Sequence, residues 1–267
     1  MIVSAGLGVL SMATPMLQEI FGGQLIGISR GLDELDVDYR AQVALVAVGF
    51  TGLLSLFNIA GRLFWAVLSD RIGRKGTYYC FFLLGIPLYA LMPTLGQSGH
   101  VAWFVLGLCI ILSMFGGAFA ALPAYISDLF GPEMVGAIQG RMLTAWSTAG
   151  VIGSILMSTL RYEQIAQGVP LSRAYDLTFY VLAGLLVVGL VCNALVRPVD
   201  PRHFMTPAEM EKYQCETRHQ LASAPTRGTI SPEIRMTLTA TAAVWLPVCL
   251  PLAWGVWITL RRVAVLL

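Results

Sequence analysis

The chain has 267 residues, is 57 % hydrophobic and only 12 % charged, and has a mean hydropathy of +0.73. Soluble domains carry about 25 % charged residues, so this composition excludes a disordered chain and argues against a water-soluble enzyme. A net charge of +2 is too small to indicate a nucleic-acid partner, and five cysteines without close spacing form neither a zinc pattern nor a disulfide framework.

Seven apolar segments follow in chain order, near Ile2–Phe21, Gln42–Leu68, Thr77–Leu95, Ala102–Ile126, Val135–Leu160, Tyr175–Val196 and Leu238–Leu260. Each approaches the ~20 helical residues that a bilayer core requires. The expectation is therefore an all-α integral membrane protein. The first positive charge is Arg30, so the apolar start lacks the basic leader of a signal peptide and reads as a span. Six tightly connected spans occupy residues 1–196, a polar tail occupies 197–236, and an additional hydrophobic helix occupies 237–267. The last segment holds Pro247 and Pro251 with Trp245, Trp254 and Trp257. It either crosses with a kink or lies in the interface; its length suffices to cross. In the tail, Asp200-Pro201, Thr206-Pro207 and Ser231-Pro232 read as turns and helix starts.

Basic residues set the orientation. With the loop after the second span and the tail inside, ten basic residues face the cytoplasm and four face outward. The first connector, with Asp33, Glu34, Asp36 and Asp38, is acidic, as suits an outer loop.

The second span contains an intramembrane arginine, Arg62. Thr51, Ser55, Asn58 and Arg62 recur at steps of 4, 3 and 4, which places them on one helix face. Such a polar stripe suits the wall of a solute pathway. A guanidinium matches a carboxylate because its planar fork donates two parallel hydrogen bonds. The alternative is that Arg62 snorkels toward the nearby helix end. Carboxylates occur only at the span edges, as Glu19, Asp70, Asp128 and Asp176, so no intramembrane proton carrier is apparent. In the fifth span Ala145, Ala149 and Gly153 recur every four residues and Gly150 widens the strip, a surface on which another helix can approach closely. Trp146, Tyr125 and Gln18 are further residues that can touch a solute.

The connector after the second span reads AVLSDRIGRK, from Ala66 to Lys75. Gly73 permits a tight turn, Asp70 can accept from an arginine or a helix end, and Arg71, Arg74 and Lys75 form a basic cluster. The segment resembles the signature loop of the major facilitator superfamily, G-x-x-x-D-R-x-G-R-K/R, with Ala66 in place of the first glycine. The resemblance gives Asp70, Arg71, Gly73, Arg74 and Lys75 a gating role. MATPMLQEIFGG, GFTGLLSLFNIAGRLFWAVLSDRIGRK and GRMLTAWSTAGVIGS are similar to the oxalate/formate antiporter group of that superfamily. That likeness implies helices seven to twelve of a twelve-helix transporter, which works by alternating access together with an amino-terminal half. It also implies that Arg62 contacts a carboxylate. Asn58 and Ser55 would support the anion, and Trp146 would shape the pocket. The group's T-A-K pattern reads Thr144-Ala145-Trp146 here, so the second positive charge is missing, which favours a monocarboxylate over the dianion oxalate. The expectation is secondary transport of a small organic anion across the cell membrane. No enzyme activity, cofactor or metal is expected. An uncharged solute, or a transport-incompetent sensor or partner subunit, are the alternatives. A single cysteine at Arg74 should resist impermeant thiol reagents in intact cells; labelling from outside would invert the topology.

Overall fold

The computed structural model describes residues 1–28, 30–197 and 206–223. The chain forms two compact units, Met1–Val199 and Asp200–Leu267. The first holds six helices: α1 (Ile2–Phe21), α2 (Val37–Ile72), α3 (Arg74–Gln97), α4 (Val101–Phe130), α5 (Val135–Ala166) and α6 (Asp176–Leu195).

Most helices run past the apolar windows that mark them in the sequence. At ~1.5 Å per residue, α2 is ~54 Å long, well beyond a ~30 Å hydrocarbon core. Its polar ends sustain the helix outside that core. Asp36 caps the start, accepting from the Val37 amide at 2.8 Å, and Arg71 lies in the last turn, where a cation opposes the helix dipole. Among the described residues, five helical segments are long and apolar enough to cross a membrane: Val37–Ile72, Arg74–Gln97, Val101–Phe130, Pro132–Ala166 and Leu171–Leu195. The expected first span is present as α1 but is not one of these five. Pro15, Gln18 and Glu19 dilute its apolar character. The expected seventh segment, Leu238–Leu260, lies outside the described residues.

The turn between α2 and α3 is a single residue, Gly73, with φ 81°. That is the left-handed geometry that favours glycine, as the sequence indicates. The Thr77 hydroxyl donates back to the Gly73 carbonyl at 2.9 Å and closes the first turn of α3.

Helix α4 is the central element. Phe104, Leu108, Ile111 and Leu112 on it are essentially inaccessible. Its most extensive neighbour is α2, and glycines bring the two backbones into contact. A Cβ on Gly116 would lie 2.2 Å from the Asn58 carbonyl oxygen, and one on Gly61 would lie 2.3 Å from that of Ser113. Two polar bonds cross the same seam: Asn58 Nδ2 donates to the Leu112 carbonyl at 3.1 Å, and Trp65 Nε1 donates to Ser113 Oγ at 2.9 Å. Helix α1 packs on α5 in the same manner, with a Cβ on Gly153 falling 2.1 Å from the Ser4 carbonyl oxygen. The close approach expected from the small-residue strip of α5 is thus present at Gly153. Gly150 extends it, meeting Leu7 of α1, whereas Ala145 and Ala149 line a cavity instead. Between apolar helices in lipid the hydrophobic effect contributes little, so such backbone contact and crossing hydrogen bonds carry the association. The outer faces are apolar, as lipid requires: Leu56, Ile59, Leu63 and Phe64 of α2 and Ile155 of α5 are all exposed.

In the second unit, α7 spans Pro207–Ser223 within the polar tail. Thr206 and Glu209 form its capping box. The Thr206 amide and hydroxyl each donate to Glu209 Oε2 at 2.8 Å, and the Glu209 amide donates to Thr206 Oγ1. These bonds to the charged form hold the Glu209 carboxyl below its usual range. The helix start expected at Thr206-Pro207 is the one observed.

Gly116→Ala should destabilise the chain by about 1–3 kcal/mol, because backbone must move to admit the methyl group. Gly184→Ala, in open space on α6, should leave stability unchanged or raise it by about 0.5–1 kcal/mol. Thermal unfolding in detergent measures both; equal melting temperatures would remove the close-contact account of the α2–α4 seam.

Candidate functional site

The polar stripe of α2 divides into two groups. Thr51 turns to α1, where its hydroxyl shares a hydrogen bond with that of Thr14 at 2.8 Å. Ser55 is exposed and donates to its own helix, at the Thr51 carbonyl, at 3.1 Å. Asn58 is half-buried and its amide crosses to α4, which leaves its side-chain carbonyl as the group on offer. Arg62 is exposed and its fork makes no hydrogen bond or ion pair with any described residue. Its guanidinium carbon lies 5.5 Å from the centre of the Phe119 ring of α4, a cation–π distance. Phe119 in turn packs on Trp146 of α5, with ring centres 5.3 Å apart and planes inclined by 40°. The structure therefore gathers Arg62 and Trp146 around one ring. Asn58 and Ser55 lie farther along α2. Sequence spacing contains no signal for Phe119, which is 57 positions from Arg62.

Trp146 also borders a cavity of about 510 Å³, walled by Phe119, Tyr125, Met142, Ala149 and Asn193 with the first residues of α1. Arg62, Asn58 and Ser55 are not in its wall. The cavity is apolar, yet the Tyr125 hydroxyl, the Trp146 indole N–H and the Asn193 amide nitrogen are buried without hydrogen-bond partners among the described residues. Gln18, the other residue singled out beside the stripe, lies half-buried in the last turn of α1.

The signature loop forms a charged cluster at the end of the bundle where α2, α4 and α6 terminate. Arg74 pairs with Asp70 at 2.6 Å and with Asp128 of α4 at 3.5 Å, and donates to Ser69 Oγ at 3.0 Å. Lys75 donates to the carbonyls of Ala194 and Val196, capping the carboxy-terminal end of α6. Arg71 is exposed and makes no ion pair among the described residues. The link from Arg74 to Asp128 joins residues distant in sequence and is visible only in the fold.

The opposite end is held differently. Arg161 at the end of α5 makes a two-pronged ion pair with Glu19 of α1, and the Tyr175 hydroxyl donates to the same carboxylate at 2.8 Å. The side chains of Glu19 and Arg161 are 11 % and 27 % exposed, and Tyr175 is wholly buried. Nearby, Gln97 of α3 donates to Asp176 at the start of α6 at 2.7 Å. No group of three or more metal-ligating side chains is present among the described residues.

A membrane-spanning helical bundle carrying this loop can be compared with known families. The family model of the Major Facilitator Superfamily matches residues 1–267. The chain belongs to the major facilitator superfamily. It is accordingly a multi-pass membrane protein of a transporter family and not an enzyme. It is 33 % identical to the oxalate:formate antiporter of Oxalobacter formigenes over 136 residues, covering 50 % of this chain and 31 % of that protein. It is 27 % identical to apicoplast pyruvate carrier 1 of Toxoplasma gondii over 162 residues, covering 58 % and 25 %. Over 144 residues it is 29 % identical to human solute carrier family 2, facilitated glucose transporter member 10, covering 53 % and 25 %. The matched stretches thus cover less than a third of the length of these relatives. No solved structure matches it significantly.

Within this superfamily member, the part-buried Glu19–Arg161 pair yields a stability prediction. Glu19→Gln leaves the arginine without its charged partner and should cost about 1–3 kcal/mol. The double variant Glu19→Gln/Arg161→Gln should be more stable than either single one. Denaturation in detergent decides it; additive losses would mean the two groups act independently.

Proposed function

We propose that the chain is the carboxy-terminal half, helices seven to twelve, of a major facilitator transporter that moves a small monocarboxylate across the cell membrane by alternating access. The observation that carries this reading is Arg62, whose fork no described residue engages, on a largely apolar membrane helix. A charged side chain in that setting is costly to retain. Its fork is unengaged by described residues, and carboxylate is the planar anion that fits it. Ser55 and the Asn58 side-chain carbonyl line the approach, and Trp146 supports the site from α5. Asp70, Arg71, Gly73, Arg74 and Lys75 act as the gate, since Arg74 and Lys75 link the ends of α2, α4 and α6.

The relatives named for oxalate, formate and pyruvate support a carboxylate, all three being small organic acids. One cation at the site favours a single carboxylate group. The exposed polar residues of α2 and α5 suit contact with an amino-terminal six-helix half, the partner that alternating access requires. In this reading residues 1–196 are the transporter half, 197–236 a cytoplasmic tail and 237–267 an additional hydrophobic helix. An uncharged solute is the competing reading, favoured by the likeness to a protein named as a glucose transporter.

The test is made on the chain paired with a matching first half in liposomes. Arg62→Gln removes a charge-assisted pair, a loss of about 1.5–3 kcal/mol, or roughly 10- to 150-fold in pyruvate or acetate affinity. Arg62→Lys should be intermediate. A bound monocarboxylate should slow alkylation of a cysteine at Ser55, two turns from Arg62. Normal binding by Arg62→Gln would transfer support to the uncharged solute.

A further inference from the structure

We propose that Phe119 is the positioning residue of the anion site: its ring, backed by Trp146, holds the Arg62 guanidinium in place while leaving the N–H fork free for a carboxylate. The proposal rests on the reading of Arg62 as the anion-binding group.

Three helices meet at this ring. Phe119 is carried by α4, the best-buried helix of the bundle, and the glycine seam at Gly61, Gly116 and Gly117 locks α4 to α2 directly beside it. From α2, Arg62 lies over the ring at 5.5 Å. From α5, the Trp146 ring packs against it at 5.3 Å, so Phe119 cannot easily turn away. Trp146 has an indole N–H without a partner among the described residues, so the contact it makes here is through its ring.

The choice of an aromatic partner has a chemical consequence. An acidic partner would hold Arg62 equally well, but would occupy the fork and cancel the charge that an anion needs. The face of an uncharged ring attracts the cation through its quadrupole and takes up none of the five N–H donors. A long arginine side chain without any partner loses rotamer freedom on binding. One already resting on a fixed ring loses less, and binds more tightly for that reason. Phe119 thus acts on the anion through Arg62 without touching it.

The test uses the chain paired with a matching first half, in detergent. Phenylalanines with increasing ring fluorination are placed at position 119, which keeps the shape and drains the quadrupole. The Arg62 side-chain resonances, assigned by their disappearance in Arg62→Lys, should show a ring-current shift in the unaltered protein. They should keep it in Phe119→Tyr and lose it in Phe119→Leu. Pyruvate and acetate affinity, read by calorimetry, should fall stepwise with fluorination, by about two- to tenfold in all. Phe119→Tyr and Phe119→Trp should bind as the parent does. Because the fluorinated series preserves packing, it carries the test even if Phe119→Leu does not fold. An unshifted Arg62 signal, or affinity flat across the series while Arg62→Gln abolishes binding, would overturn the positioning role and leave the anion site standing. Absence of binding, or binding indifferent to Arg62→Gln, would overturn the anion site and the positioning role together.

Discussion

Backbone contact between α2 and α4 is the constraint from which the rest of this bundle follows. Helices in lipid cannot rely on expelling water from between them. They must gain from close van der Waals contact and from hydrogen bonds made across the seam. Gly61 and Gly116 permit that contact, with Asn58 and Trp65 bonding across it. Once this crossing is set, the rotation of α2 about its axis is set too. Leu54, Asn58, Gly61 and Trp65 then face the core, at steps of 4, 3 and 4. Arg62 follows Gly61 directly and is thereby turned about 100° away, to the edge of the seam where Phe119 waits. The position of the cation is a consequence of where the glycine must be.

This geometry explains how the polar stripe looked in the sequence. Thr51, Ser55, Asn58 and Arg62 do share a face, but it overlaps by one residue with the buried face that contains Leu54 and Gly61. Asn58 belongs to both. A polar residue at that boundary reads as solute-lining by spacing alone, while its amide serves the helix crossing. Sequence periodicity resolves a helix face to within about one residue, or 100° of rotation, and that is the margin between Gly61, which meets α4 backbone to backbone, and its neighbour Arg62, which does not.

Other features were legible for definite reasons. The first six apolar stretches had to become helices, because an unpaired backbone group in lipid is too costly. Gly73 announced its turn because a one-residue link between helices demands a left-handed backbone. Thr206-Pro207 marked the start of α7 because proline suits the first turn of a helix, whereas the part Glu209 plays in capping it is seen only in the fold. All of these depend on neighbours along the chain. The contacts that escaped are long-range. Arg74 meets Asp128, Arg161 meets Glu19 and Tyr175, and Arg62 meets Phe119, each across helices whose pairing no local pattern encodes. Helices α2 to α5 run past their apolar windows because polar turns beyond the bilayer core remain helical without being apolar.

The two ends of the bundle also differ in what separating their helices would cost. At the signature-loop end, the acidic partners of Arg74 are widely exposed, Asp70 at 66 % and Asp128 at 60 %. Exposed pairs of this kind contribute about 0–1 kcal/mol each, and water replaces them when they open. At the other end Glu19, Arg161 and Tyr175 form one connected, largely buried group spanning α1, α5 and α6. Parting those helices would leave part-buried charges without partners, at a cost of about 1–3 kcal/mol. Displacements of helix ends are therefore cheapest around Arg74, where the links are several and individually weak, and most expensive around Arg161. The basic loop thus lies at the end of the bundle whose ion pairs are the most exposed, and Arg161 at the end whose ion pair is the better shielded.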